Sequence, residues 1–97
     1  MLVRIVKMTF NQEKVEEFLN FLEENKLKIR NFPGCLMVEI LQEIDKPHVI
    51  MTHSHWESAQ DLENYRNSDL FNFVWSNTKI HFEDKPEAYS MLSLDKL

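Results

Sequence analysis

With 97 residues the chain has material for one hydrophobic core, since a typical domain uses about 100 to 150, and a single domain over residues 1–97 is expected. Eleven basic against sixteen acidic residues leave a formal charge of -5, which repels phosphate backbones and sets nucleic acid aside as a partner. No apolar run nears the roughly 20 residues that span a bilayer, the start lacks a basic-then-apolar leader, and the single cysteine excludes an internal disulfide, so the chain reads as cytoplasmic with no membrane association.

Residues 2–10, LVRIVKMTF, are rich in β-branched side chains and predict a first strand. Its even positions are apolar apart from Arg4, while its odd positions, Val3, Ile5, Lys7 and Thr9, are only half apolar. Asn11 is placed to cap a helix whose inner stripe, Val15, Phe18, Leu19 and Leu22, recurs with helical period to about Arg30. Acidic residues crowd its first half and basic ones its end, in line with the macrodipole.

Asn31, Phe32, Pro33 and Gly34 end that helix, because the residue before proline is kept out of the helical region and glycine permits positive φ. A second strand is expected at 35–42, with Leu36, Val38 and Ile40 on one face and Cys35, Met37, Glu39 and Leu41 on the other. A third is expected at 48–56, with Ile50, Thr52, Ser54 and Trp56 opposite Val49, Met51, His53 and His55. Ser58 and Asp61 have capping-box spacing and begin a second helix, which Ser68-Asp69 restarts and which ends near Lys79. A last strand is predicted at 88–94.

The order strand, helix, strand, strand, helix, strand is that of an α+β ferredoxin-like (βαββαβ) fold: an antiparallel sheet with its helices on one face. The bare face would carry Val3, Ile5, Cys35, Met37, Leu41, Val49 and Met51. At about 25 cal/mol per Å2 of apolar surface, exposing several such side chains costs several kcal/mol. A homodimer is therefore expected, two sheets face to face, with pockets between each sheet and its helices or at the mouths of the joint barrel.

The element order, the Phe32-Pro33-Gly34 turn, and above all His55-Trp56-Glu57-Ser58 followed by Leu62, Tyr65, Ser68 and Phe71 resemble the antibiotic biosynthesis monooxygenase family of dimeric α/β barrels. The resemblance covers nearly the whole chain. It implies the fold, a homodimer and a small-molecule substrate, and it spans several activities: cofactor-free quinol and anthrone oxygenases, haem-degrading oxygenases and proteins without a known reaction. Many members carry a histidine where this chain has Tyr65. Trp75 stands where the haem-degrading branch has its iron-ligating histidine, and strand one lacks that branch's asparagine.

His53 and His55 share a strand face, and a neutral imidazole serves as a base near neutral pH; they are the candidate catalytic residues, with an exposed or hydrogen-bonded structural role as the alternative. Tyr65, Trp75 and Met37 are the candidate substrate contacts, with packing in the core as the alternative for Tyr65. Two imidazoles fall short of the three or four ligands zinc usually takes, so no metal is expected. No Gly-rich phosphate loop, nucleophile elbow or spaced carboxylate pair is present, which removes phosphoryl and acyl transfer. The expectation is a monooxygenase without cofactor acting on a small aromatic, quinol or polyketide-like substrate. The rivals are a ligand-binding or stress-response barrel without catalysis, and a haem-binding or haem-degrading protein.

Overall fold

β1 (Leu2–Thr9), β2 (Cys35–Gln42), β3 (Val49–Trp56) and β4 (Glu87–Leu92) form one antiparallel sheet in the order β2-β3-β1-β4. The computed structural model describes all residues 1–97. α1 (Val15–Arg30), α2 (Ala59–Arg66) and α3 (Asp69–Lys79) lie over one sheet face, which is the predicted α+β ferredoxin-like arrangement. β2 is predicted to the residue; the other strands shift by one or two residues, as fraying ends do. Phe10 leaves β1 to make an isolated bridge with Phe82.

The helix starts divide into one that departs from expectation and two that agree. Asn11 does not cap α1: residues 11–14 form a turn closed by Lys14 N–H to the Asn11 carbonyl at 2.8 Å, and α1 begins at Val15 with no side-chain cap. Ser58 does cap α2, its Oγ accepting from Asp61 N–H at 3.1 Å, and Ser68 caps α3 in the same way through Phe71 N–H at 3.1 Å. Ser68 Oγ also donates to the Tyr65 carbonyl at 2.6 Å. One hydroxyl thus closes α2 and opens α3, and this is the break that Ser68-Asp69 announces.

The face assigned to Cys35 is corrected. Cys35 pairs with Trp56 and Met37 with His55, so Leu36 is an extra residue on β2. Such a bulge resets the alternation of faces. Cys35 turns inward and is buried beside Leu2, Trp56, Leu62 and Tyr65, while Leu36 is exposed. Burial raises the thiol's pKa, against smaller opposing effects of a hydrogen bond to the Met37 carbonyl and the charge of Arg30, so Cys35 acts as a small hydrophobe.

Two clusters make the core. One gathers Leu2, Cys35, Trp56, Leu62 and Tyr65; the other gathers Met8, Phe10, Phe18, Leu22 and Ile50. Aromatic rings join them in sequence, Trp56 to Tyr65 at 5.1 Å, Tyr65 to Phe71 at 5.3 Å, Phe71 to Trp75 at 5.8 Å, and Trp75 through Phe82 to Phe10. Between the clusters the packing opens into the cavity described below.

Gly34 sits at φ +88°, the only positive φ in the chain, and a Cβ there would collide with Cβ and Cγ of Asp61 at the start of α2. Both the turn and the approach of α2 therefore demand glycine. Gly34→Ala is expected to lower stability by about 2 kcal/mol or more, the strain of a left-handed alanine plus the clash. Ser58→Ala, which loses only a cap, should lower it by about 1 kcal/mol. Urea unfolding of the two variants against the parent chain measures the difference, and equal losses would contradict this account of the turn.

Candidate functional site

Alternation along three strands fixes the cavity floor. Arg4 of β1 stands beside Ser54 of β3 and Ser90 of β4, so one row across the sheet reads Ser90, Arg4, Ser54, Val38. The flanking row carries Ala88, Val6, Thr52 and Ile40. The roof comes from α1 through Phe18 and Leu22, from α2 through Leu62, Tyr65 and Arg66, and from α3 through Phe71 and Trp75. The cavity volume is about 320 Å3, and 14 of the 20 lining residues are hydrophobic, proportions typical of pockets for small apolar ligands with a few orienting polar groups.

Those polar groups are few and differently committed. Trp56 donates its indole N–H to Ser54 Oγ at 3.0 Å, and Thr78 Oγ1 donates to the Val74 carbonyl at 2.7 Å. Arg4 donates to Ser90 Oγ at 2.8 Å and makes no ion pair. Burial lowers its pKa from the usual arginine value, and the charge of Arg66 lowers it further. The remaining Arg4 N–H groups are thus held in the cavity, in an environment that disfavours their charge.

Tyr65 is 9% exposed, stacked on Trp56 and set edge-on to Phe32 and Phe71. Its phenol is pushed up to about 12, first by burial and then by Cys35, so at neutral pH it is a proton donor and not a base. Trp75 stacks on Phe71 at an interplanar angle of 12° and supplies a flat wall. Tyr65 and Trp75 are therefore both cavity residues, with Tyr65 also serving the core.

His53, His55 and Met37 lie elsewhere. They occupy the opposite sheet face, because they alternate with Ser54, Trp56 and Val38, which face the helices. His55 Nε2 lies 2.9 Å from His53 Nε2, and His53 Nδ1 lies 3.4 Å from Glu39 Oε1. A carboxylate and two imidazoles form a chain there, half-buried and outside the cavity. The pKa of His55 is lowered, first by burial and then by His53 and Lys96, with Glu39 acting the other way. The two-residue period of the strand thus puts the candidate histidines and Met37 on the face opposite to the cavity lined by Tyr65 and Trp75. No cluster of three or more His, Cys, Asp or Glu side chains is positioned to hold a metal ion.

Arg4 and Arg66 are the residues the sequence reading passed over. Arg4 had a visible signal, a lone charge on the otherwise apolar inward face of β1. Arg66 had a weaker one, helical spacing from Ala59 and Leu62 that offers it or Tyr65 to the inner face of α2, but a basic residue in the last turn of a helix ordinarily serves the macrodipole.

The family model for antibiotic biosynthesis monooxygenase matches residues 1–72. The chain belongs to this family. Solved structures agree in fold. A crystal structure of an antibiotic biosynthesis monooxygenase superposes with a TM-score of 0.91 at 18% identity, covering 98% of this chain and 100% of that one. A conserved protein from Methanosarcina mazei Go1 gives 0.86 at 22% identity over 94% of this chain and 91% of that one. Rv0793 from Mycobacterium tuberculosis gives 0.89 at 13% identity over 98% and 96%. No curated protein matches the sequence. No helix is long and apolar enough to cross a membrane.

The raised Tyr65 pKa fixes a pH dependence. The folded state disfavours tyrosinate relative to the unfolded chain, whose phenol titrates near about 10, so stability present below that pH falls as pH rises towards the folded value of about 12 and then levels off. Two units correspond to about 2 to 3 kcal/mol. Urea midpoints across that window should fall for the parent chain and stay flatter for Tyr65→Phe; parallel curves for the two would refute the burial of the phenol.

Proposed function

We propose that this chain is a cofactor-independent monooxygenase whose substrate, a planar phenolic, quinol or polyketide-like molecule, lies in the cavity between sheet and helices. The observation that carries the reading is the pairing of flat aromatic walls, Tyr65 and Trp75, with a guanidinium on the floor, Arg4, that has no carboxylate partner. An apolar chamber favours the ring, and a partly buried cation favours the form of the substrate in which oxygen is negative.

Such a substrate supplies the electrons itself. A methylene conjugated with a ring carbonyl, as in an anthrone, loses a proton to water, and the resulting enolate places its charge on the carbonyl oxygen held by Arg4. The anion passes one electron to O2, the radical pair joins as a hydroperoxide, and loss of water leaves a carbonyl: CH2 + O2 gives C=O + H2O. Tyr65, protonated up to a pH of about 12, donates a hydrogen bond to the departing oxygen. No acidic or imidazole side chain lines the cavity, so the proton is released by lowering the substrate's own pKa beside Arg4. His53 and His55 therefore have no part in this mechanism.

The other sheet face carries Val3, Ile5, Met37 and Met51, half-buried in one copy, and Leu41, Tyr89 and Met91, which are exposed. This much apolar surface on one face supports a homodimer joined sheet to sheet.

Arg4→Gln should lower kcat/KM for oxygen uptake with anthrone or quinol substrates by about a hundredfold, the usual effect of removing one oxyanion donor, while His53→Gln and His55→Gln retain most of the activity. Full activity in Arg4→Gln, or no oxygen consumption by the parent chain, would refute the reading. Sedimentation at micromolar concentration should show a dimer that Met51→Asp converts to a folded monomer; a monomeric parent chain would exclude the sheet-to-sheet association.

A further inference from the structure

The two charged residues on the cavity wall have the same sign. Arg4 and Arg66 line it, and no aspartate or glutamate does, in a chain whose net charge is -5. Neither cation is well neutralised. Arg4 has only the neutral Ser90 hydroxyl, and Arg66 has Glu63, one turn back on α2, at 3.8 Å with both side chains about half exposed, a contact that contributes little. They differ in position: Arg4 is part of the sheet floor, whereas Arg66 ends α2 and is open to solvent on one side. The lowered pKa of Arg4, to which Arg66 contributes, agrees with two cations waiting on negative charge.

A substrate oxygen that becomes negative only during turnover neutralises one guanidinium. The second calls for a charge the ligand carries throughout, and a guanidinium fork suits a planar carboxylate. Resting on the reading of the cavity as the substrate site, we propose that the substrate is an aromatic hydroxy acid, its ionisable oxygen directed to Arg4 and a permanent carboxylate to Arg66. Arg66 is then a specificity-determining residue. A bound dianion offsets both cations, whereas a neutral phenol of the same shape leaves Arg66 with its weak surface partner.

Calorimetric titration of the full chain with 6-hydroxy-2-naphthoate, 2-naphthol and 2-naphthylmethylamine tests this. The hydroxynaphthoate should bind about tenfold or more tighter than the naphthol, the amine weakest, and the ratio of the first two should shrink as salt is raised. In Arg66→Gln that ratio should fall towards one, and Arg66→Lys should restore part of it. Equal affinities for acid and naphthol, or a ratio unchanged in Arg66→Gln, would overturn the carboxylate assignment. Failure of every probe to bind would overturn the cavity as a site, and this assignment with it. Selective acid binding without oxygen uptake would sustain the assignment and count against oxygenation alone.

Discussion

Trp56 stands where three strands and a helix meet, and the remaining structure depends on how its indole is held. It pairs with Leu2 on one side and Cys35 on the other, so the ends of β1, β2 and β3 are fixed at one level of the sheet. Its ring is 1% exposed and stacks on Tyr65, which seats α2. Its N–H reaches Ser54, which prevents a buried donor from being left without a partner. The bulge at Leu36 is part of the same arrangement, since it turns the small Cys35, and not the larger Leu36, towards the indole. A ring of this size fixed at one end of the inner face lets the middle of that face remain open without loosening the fold.

The sheet then separates two polar systems that share the same strands. Even-numbered residues of β1 and β3 bring Arg4 and Ser54 under the helices, while odd-numbered ones bring His53 and His55 to the far face beside Glu39. A strand is too thin to insulate charge completely, yet no side chain crosses it. Cationic chemistry lies on one side and imidazole chemistry on the other. Family membership leaves both faces available for function, and the fold alone does not choose between them. The two differ in surroundings: Arg4 lines a cavity together with Tyr65, Phe71 and Trp75, and the histidines do not.

Much of the architecture was legible in the chain because it rests on local rules. Period-two patterning placed four strands, the turn from Asn31 to Gly34 ended the first helix, and Ser58 and Ser68 supplied the caps observed. The family assignment on His55-Trp56-Glu57-Ser58 agrees with the family match. The site was less legible for a physical reason. Reactive residue types drew attention to His53 and His55, but which face of a strand is enclosed depends on where the helices pack, and that is a tertiary fact. Tyr65 and Trp75 line the cavity, since helical spacing and the Ser68 break put both on inward surfaces, whereas Met37 lies on the uncovered face. Asn11 resembled a cap, but the chain used it for a turn.

The break at Ser68 has a consequence for the shape of the chamber. In one uninterrupted helix, ten residues rise about 15 Å along a single axis, and Tyr65 and Trp75 would belong to different neighbourhoods. Because Ser68 ends one axis and starts the next, the chain turns a corner there and both rings face one space, bridged by Phe71. The dimensions of the chamber are thus a property of backbone direction, held by one serine hydroxyl, and individual wall residues can change size without redrawing its outline. Selectivity in such a scaffold is open to adjustment one side chain at a time, while the room itself is inherited with the corner.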